Sequence, residues 1–236
     1  MIKTVLGVKI DDLSMPEALE LVSSWLADKR QATSDKRYVV TPNPEFVMSA
    51  QKDPEFREIL NKADLSIPDG VGLRLGGVQN IVPGVDFMEQ LCRQAAQSGW
   101  LVGFLGGQDR VAKKCAEVLQ ARFPGLKISF SENGGEVLYS GVTTQDLSKL
   151  PQTDILFVAL GHIKQEKWIV RHLQSVQAKV FMGVGGAFDY IAGIVPRAPL
   201  WMRKIGLEWL FRLMVQPWRI KRQLSLLKFV LSVLTS

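Results

Sequence analysis

Short aliphatic runs alternate along this chain with longer stretches in which apolar residues recur every three or four positions. The runs predict strands near Tyr38–Thr41, Leu65–Ile67, Leu101–Leu105, Lys127–Phe130, Ile155–Leu160 and Val180–Val184. The longer pattern predicts helices near Pro16–Ala27, Pro44–Ser49, Pro54–Lys62, Phe87–Ser98, Arg110–Arg122, Gln165–Gln174 and Phe188–Ala192. Ahead of these, Met1–Asp12 holds one short β-like run. Strand-helix alternation of this kind builds βαβ units, so the expected fold is α/β: a mostly parallel sheet with helices on both faces.

The alternation stops at Pro196-Arg-Ala-Pro199, and only helical pattern follows. Two units are therefore expected, an α/β catalytic domain over 1–195 and a helical appendage over 196–236. In the appendage Ile220, Leu224, Leu227, Leu231 and Leu234 recur at helical spacing as one apolar stripe. Charge sharpens the division. The 236 residues carry a net +6, but eight basic residues against the single acidic Glu208 lie from Pro196 onward, a net +7, which leaves −1 for the rest. Three of the six tryptophans, Trp201, Trp209 and Trp218, fall in the same segment. Stripe, cations and interfacial rings together predict a helix lying on an anionic membrane surface. Packing on the body, or an interface in a homo-oligomer, is the competing use of the stripe. Nucleic acid is not expected as a partner, because the cations are interleaved with aliphatic residues instead of forming a separate polar face.

No apolar stretch reaches the roughly 20 residues of a spanning helix, and Met1–Asp12 lacks the features of a signal peptide. Cys92 and Cys115 sit in helical pattern with no metal-ligand spacing, as small buried hydrophobes in a reducing compartment.

Ligands of an open α/β sheet bind at the carboxyl ends of its strands. Five loops at that edge carry the distinctive residues: Thr41-Pro-Asn43-Pro44, Pro68-Asp69-Gly70, Gly106-Gly107, Gly161 to Glu166, and Gly183 to Asp189. Gly106-Gly107 and Gly185-Gly186 lie between a strand and a helix start, where bare amides favour phosphate, although tight turns need glycine for their own sake. Neither is a P-loop or a complete dinucleotide fingerprint. Asp69 has two readings, a turn residue bonding its own backbone or a general base for a sugar hydroxyl. Asn43 likewise either caps the helix that Pro44 begins or holds a ligand. His162 and His172 lack metal spacing and no D-x-D pattern occurs, so no metal cofactor is expected; His172 is placed on an exposed helix face. A leaving diphosphate would then need protein cations, and the appendage arginines supply them.

In order along nearly the whole chain, Val40-Thr41-Pro-Asn43-Pro-Glu45, Ala63 to Gly72 around Pro68-Asp69-Gly70, Pro83-Gly84-Val-Asp86, Leu105-Gly106-Gly107, Lys164-Gln165-Glu166-Lys167-Trp168, Gly183 to Asp189, Arg197-Ala-Pro199 and Gly206 to Leu210 resemble the WecG/TagA/CpsF glycosyltransferases of bacterial surface-polymer synthesis. The resemblance implies a Rossmann-like, inverting, metal-independent enzyme on the inner face of the cell membrane. It implies transfer of a sugar, in the teichoic-acid branch N-acetylmannosamine, from a UDP-sugar to undecaprenyl-diphosphate-linked N-acetylglucosamine. Carried over residue by residue, Asp69 is the base, Thr41, Asn43 and Gln165 shape the sugar pocket, and Arg212, Arg219 and Arg222 close over the UDP diphosphate. The chain departs from the pattern in Ile81, where the family usually has arginine, in a shortened stretch from Arg74 to Asn80, and in Ile163 in place of proline. Arg74 is the nearby cation to substitute for the arginine. A catalytically impaired nucleotide-sugar-binding scaffold is the alternative that Ile81 raises.

Overall fold

The computed structural model describes residues 1–27 and 35–235, except the side chains of Arg219, Lys221, Arg222 and Gln223. The chain opens with a hairpin, β1 (Ile2–Val5) and β2 (Val8–Asp11), paired antiparallel. Its two-residue turn puts Leu6 and Gly7 at φ 46° and 78°, the primed-turn geometry that follows strand twist. The β-like run expected in Met1–Asp12 is thus a folded-back pair. Ser66 ties it to the main sheet by donating its hydroxyl to the Lys9 carbonyl at 2.8 Å.

After helix α1 (Met15–Ala27) come β3 (Arg37–Val40), α2 (Pro44–Ala50), α3 (Pro54–Asn61) and β4 (Leu65–Ser66). A 3-10 turn over Val71–Gly76 leads to α4 (Gly84–Ser98), β5 (Leu101–Gly106), α5 (Val111–Arg122) and β6 (Lys127–Glu132). Then follow β7 (Thr153–Ala159), α6 (Lys164–His172), β8 (Ala178–Gly183) and α7 (Ala187–Ile191). Six strands, the six expected, form one parallel sheet in the order β4-β3-β8-β7-β5-β6.

The central strands read as unbroken apolar runs because both faces are covered. Successive residues of β7 show it. Ile155 and Phe157 enter the apolar layer that holds Trp25, Phe87, Leu119 and Phe188, contributed by α1, α4, α5 and α7. Leu156 and Val158 enter the opposite layer, with Phe46, Phe56 and Trp168 of α2, α3 and α6. Cys92 and Cys115 are buried and free, and burial pushes both thiols well up.

Beyond α7 the chain is helical: α8 (Leu200–Lys204), α9 (Glu208–Val215), a 3-10 turn at Pro217–Arg219, and α10 (Ile220–Leu234). Helix α10 turns back onto α2 and the 3-10 turn at Val71–Gly76. It has two apolar faces. Phe229 is fully buried in the second layer, joined by the partly buried Val233. The stripe expected from periodicity points outward, with Leu224, Leu227, Leu231 and Leu234 exposed by 51%, 63%, 65% and 72%. No helix among the described residues is long and apolar enough to cross a membrane.

Candidate active site

Strand β3 ends at Val40, just before Thr41, and β4 at Ser66, three residues before Asp69, and the two chain segments are laced together beyond the sheet. The Ile67 amide donates to the Val40 carbonyl at 3.0 Å, and the Asp69 amide to the Pro42 carbonyl at 2.9 Å. Gly70, at φ 98°, then turns the chain away. Asn43 caps α2, its side chain accepting from the Phe46 amide at 3.0 Å, with Pro44 in the first turn. The capping reading of Asn43 holds, and Asn43 also lines the cleft beside Asp69.

That cleft has a volume of about 440 Å³ and lies between the sheet edge and the C-terminal helices. On the sheet side stand Asn43, Asp69, Ile81, Gly84 and Tyr190; facing them are Arg197, Arg203, Glu208, Trp209 and Arg212. At the start of α4, the Gly84 amide donates to the Asp69 carboxylate. A side chain could not be added there without crowding Thr41, since a Cβ on Gly84 would sit 3.3 Å from Thr41 Cγ2 and 3.7 Å from Asp69 Oδ2. Thr41, Asp69 and the α4 terminus therefore form one packed floor. Burial pushes the Asp69 carboxyl up to about 7, the nearby Glu208 charge pushes in the same direction, and Gly84, Arg212 and Arg197 oppose them.

Arg197 holds the facing wall in place. It donates to both oxygens of Asp86, at 2.5 and 3.0 Å, and through Nε to Glu208 at 3.2 Å. Arg212 lies over the Tyr190 ring, 5.0 Å from its centroid, and presses Nη2 onto Gly186, where a Cβ would be only 2.6 Å away. A side chain on Gly186 would therefore have to displace the end of the Arg212 side chain.

Beneath that loop, Gln165 is almost wholly buried. It accepts from the Gly185 amide at 2.9 Å and donates to Glu166 at 2.6 Å. Its amide supports the Gly185-Gly186 turn from below and is not among the residues lining the cleft. Gly106 and Gly107 occupy the neighbouring rim, outside the cleft lining. The Gly107 amide is engaged by the Ala159 carbonyl at 2.8 Å, and a Cβ on Gly106 would strike that carbonyl at 2.4 Å.

A family model described as the Glycosyl transferase WecG/TagA/CpsF family matches residues 3–236. The chain belongs to that family. It is 30% identical over 235 residues, 97% of this chain and 91% of the relative, to a protein of Staphylococcus aureus (strain MRSA252) named N-acetylglucosaminyldiphosphoundecaprenol N-acetyl-beta-D-mannosaminyltransferase. The protein of the same name from strain NCTC 8325 / PS 47 shows the same identity and coverage.

In this family member the Lys164 to Trp168 motif is largely architectural. Lys164 donates to the Val137 carbonyl at 3.0 Å, and the buried Lys167 pairs with Asp53 at 2.9 Å and Glu55 at 2.6 Å. Glu166 is buried beside Gln165, and desolvation pushes its carboxyl up to about 7. His172 is half-buried, packed on Trp168 and bonded to the Gly141 carbonyl at 3.1 Å, which corrects its expected placement on an exposed face. Arg74 is exposed on the 3-10 turn and is not among the residues lining the cleft. The side chains of Arg219 and Arg222 lie outside the described residues. Among the described residues no cluster of three His, Cys, Asp or Glu side chains is placed to hold a metal ion. Sequence reasoning assigned no role to Arg203, Glu208 or Tyr190; the only signals were an appendage rich in cations and the Gly206 to Leu210 motif for the first two, and for Tyr190 its place directly after the Gly183 to Asp189 motif.

Proposed function

We propose that this glycosyltransferase moves N-acetylmannosamine from its UDP donor to undecaprenyl-diphosphate-linked N-acetylglucosamine, with inversion at the transferred carbon. The observation that carries the proposal is Asp69, a carboxylate at a strand end whose affinity for a proton is raised to neutrality and which faces a wall of guanidinium groups. A base is most effective when its pKa lies near the working pH. As the acceptor oxygen bonds to the sugar's anomeric carbon, its proton passes to Asp69, and the bond from that carbon to the diphosphate breaks toward UDP. Arg212 is the cation we assign to the leaving diphosphate, with Arg219 and Arg222 completing the set and no metal required. Thr41 and Asn43 lie beside the base, where the sugars meet.

We further infer that the molecule works as a peripheral protein on the inner face of the bacterial membrane. The appendage carries eight of the cations, those not engaged in the cleft are each worth about 1 kcal/mol near an anionic leaflet, and its leucine stripe remains exposed when α10 is docked. A second copy of this chain is the competing partner for the stripe. The nucleotide-sugar-binding scaffold remains the second reading, favoured by Ile81 in the cleft wall.

One assay separates these readings: UDP release and lipid product from a panel of UDP-sugars, with wild type and Asp69→Asn, with and without chelator. Turnover by wild type alone, unchanged by chelator, supports the enzyme, its base and its independence of metal. A wild type that binds UDP and turns over no donor establishes the scaffold.

A further inference from the structure

Among the described residues three guanidinium groups line the cleft, one committed to carboxylates and two with donors left over. Arg197 is committed to Asp86 and Glu208 through Nε and both terminal nitrogens. Arg212 is applied to the Gly186 loop at the sheet edge. Arg203, on α8, approaches a carboxylate only at 3.8 Å, and that atom, Asp86 Oδ1, is already held by Arg197 at 2.5 Å. The Nε atoms of Arg203 and of Arg212 are both buried and make no hydrogen bond, so each of these two arginines has a donor left for an anion. A buried donor without an acceptor is unfavourable, and an oxygen-rich anion entering the cleft would relieve it.

The surroundings of Arg203 narrow the kind of anion. On the same segment Trp201 and Ile205 are exposed by 62% and 60%. The cleft wall beside it continues through Val71, Leu75 and Val230, all apolar. Segment and wall join closely, since a Cβ on Gly206 would meet Val71 at 2.8 Å. A matching ligand therefore carries its charge at one end and a hydrocarbon chain running on from it, whereas a nucleotide has no use for such a rim.

We propose that Arg203 binds the diphosphate of the prenyl-linked acceptor and sets the preference for it, leaving Arg212 to the donor's diphosphate. This rests on the transferase reading and adds a division of labour: two diphosphates, two arginines, on two different helices. Arginine suits the role because its planar fork meets two phosphate oxygens at once, which lysine cannot reproduce.

The test is binding without turnover. Farnesyl diphosphate in detergent micelles, inorganic pyrophosphate and UDP are each titrated into full-length wild type, Arg203→Ala, Arg203→Lys and Arg212→Ala. Loss of one charged contact predicts that Arg203→Ala binds farnesyl diphosphate roughly ten-fold more weakly. Its UDP affinity should stay within about two-fold, which also reports an intact fold, and Arg212→Ala should show the reverse pattern. Should Arg203→Ala lose both ligands, Arg203→Lys decides: retained UDP binding with weakened farnesyl diphosphate supports the assignment, and equal loss of both overturns it. Unchanged farnesyl diphosphate binding by Arg203→Ala also overturns it, as does pyrophosphate binding to wild type as tightly as farnesyl diphosphate. Selective loss at Arg203 in a protein that transfers no sugar would leave the assignment standing and remove the transferase reading alone.

Discussion

Asp69 connects the chemistry of the cleft to pH in two measurable ways. A base must be ionised to act, so kcat/KM should rise with pH along a limb centred near 7 and level off above it. Asp69→Asn should lower turnover by about 10² to 10⁴-fold and abolish that limb while UDP still binds. Glu208→Gln removes a negative charge that raises the Asp69 pKa, so the same limb should move to lower pH; a limb that stays in place would show that burial alone sets it. Stability follows the opposite sign. The carboxyl has an ordinary value near 3.8 and a folded value of about 7, so stability is lost as the pH rises from about 3.8 to 7, the loss is complete above 7, and it is absent below 3.8, where the group is protonated in both states. Asp69→Asn should therefore unfold later than wild type at pH 8, and the difference should shrink from pH 7 downward and vanish below 3.8. Asp69 and Asn43 were legible because Pro-Asp-Gly and Asn-Pro are local signals at strand ends. Arg203 and Glu208 were not, because their importance comes from helices that fold back from more than a hundred residues away.

Among the elements, the six sheet strands were readable to within a few residues, since both faces of the sheet are covered and the apolar runs are continuous. Helix α10 was harder. Its apolar residues fall on two stripes, Leu224, Leu227, Leu231 and Leu234 on one and Leu226, Phe229, Val230 and Val233 on the other. Periodicity finds a stripe but does not say which of two will be covered. The covered one depends on α2 and the Val71–Gly76 turn, which present their own apolar groups to Phe229. Phe229→Ala should weaken this docking by about 3 kcal/mol or more. Hydrogen exchange should then show lost protection in α10 and unaltered protection in β7. Equal loss in both would mean that the helix is part of the global folding unit.

For the molecule as a whole, the uneven charge was visible from the sequence, and the open question was where the cations and the leucines would face. The outward stripe predicts that Leu227→Glu with Leu231→Glu lowers binding to anionic vesicles by at least ten-fold and leaves turnover of a soluble short-chain acceptor intact. If vesicle binding persists while the oligomeric state in solution changes, the stripe belongs to another copy of this chain. The facing wall of the cleft has a consequence of a different kind. Trp209, Arg212, Leu226 and Val230 all follow every strand of the sheet along the chain and so leave the ribosome after it. The sheet can assemble before they appear, but the cavity has only one side until they arrive. A nascent or prematurely terminated chain that has passed β8 but not α10 therefore carries the base without the wall that gives it a substrate, and synthesis itself withholds activity until α9 and α10 have been made.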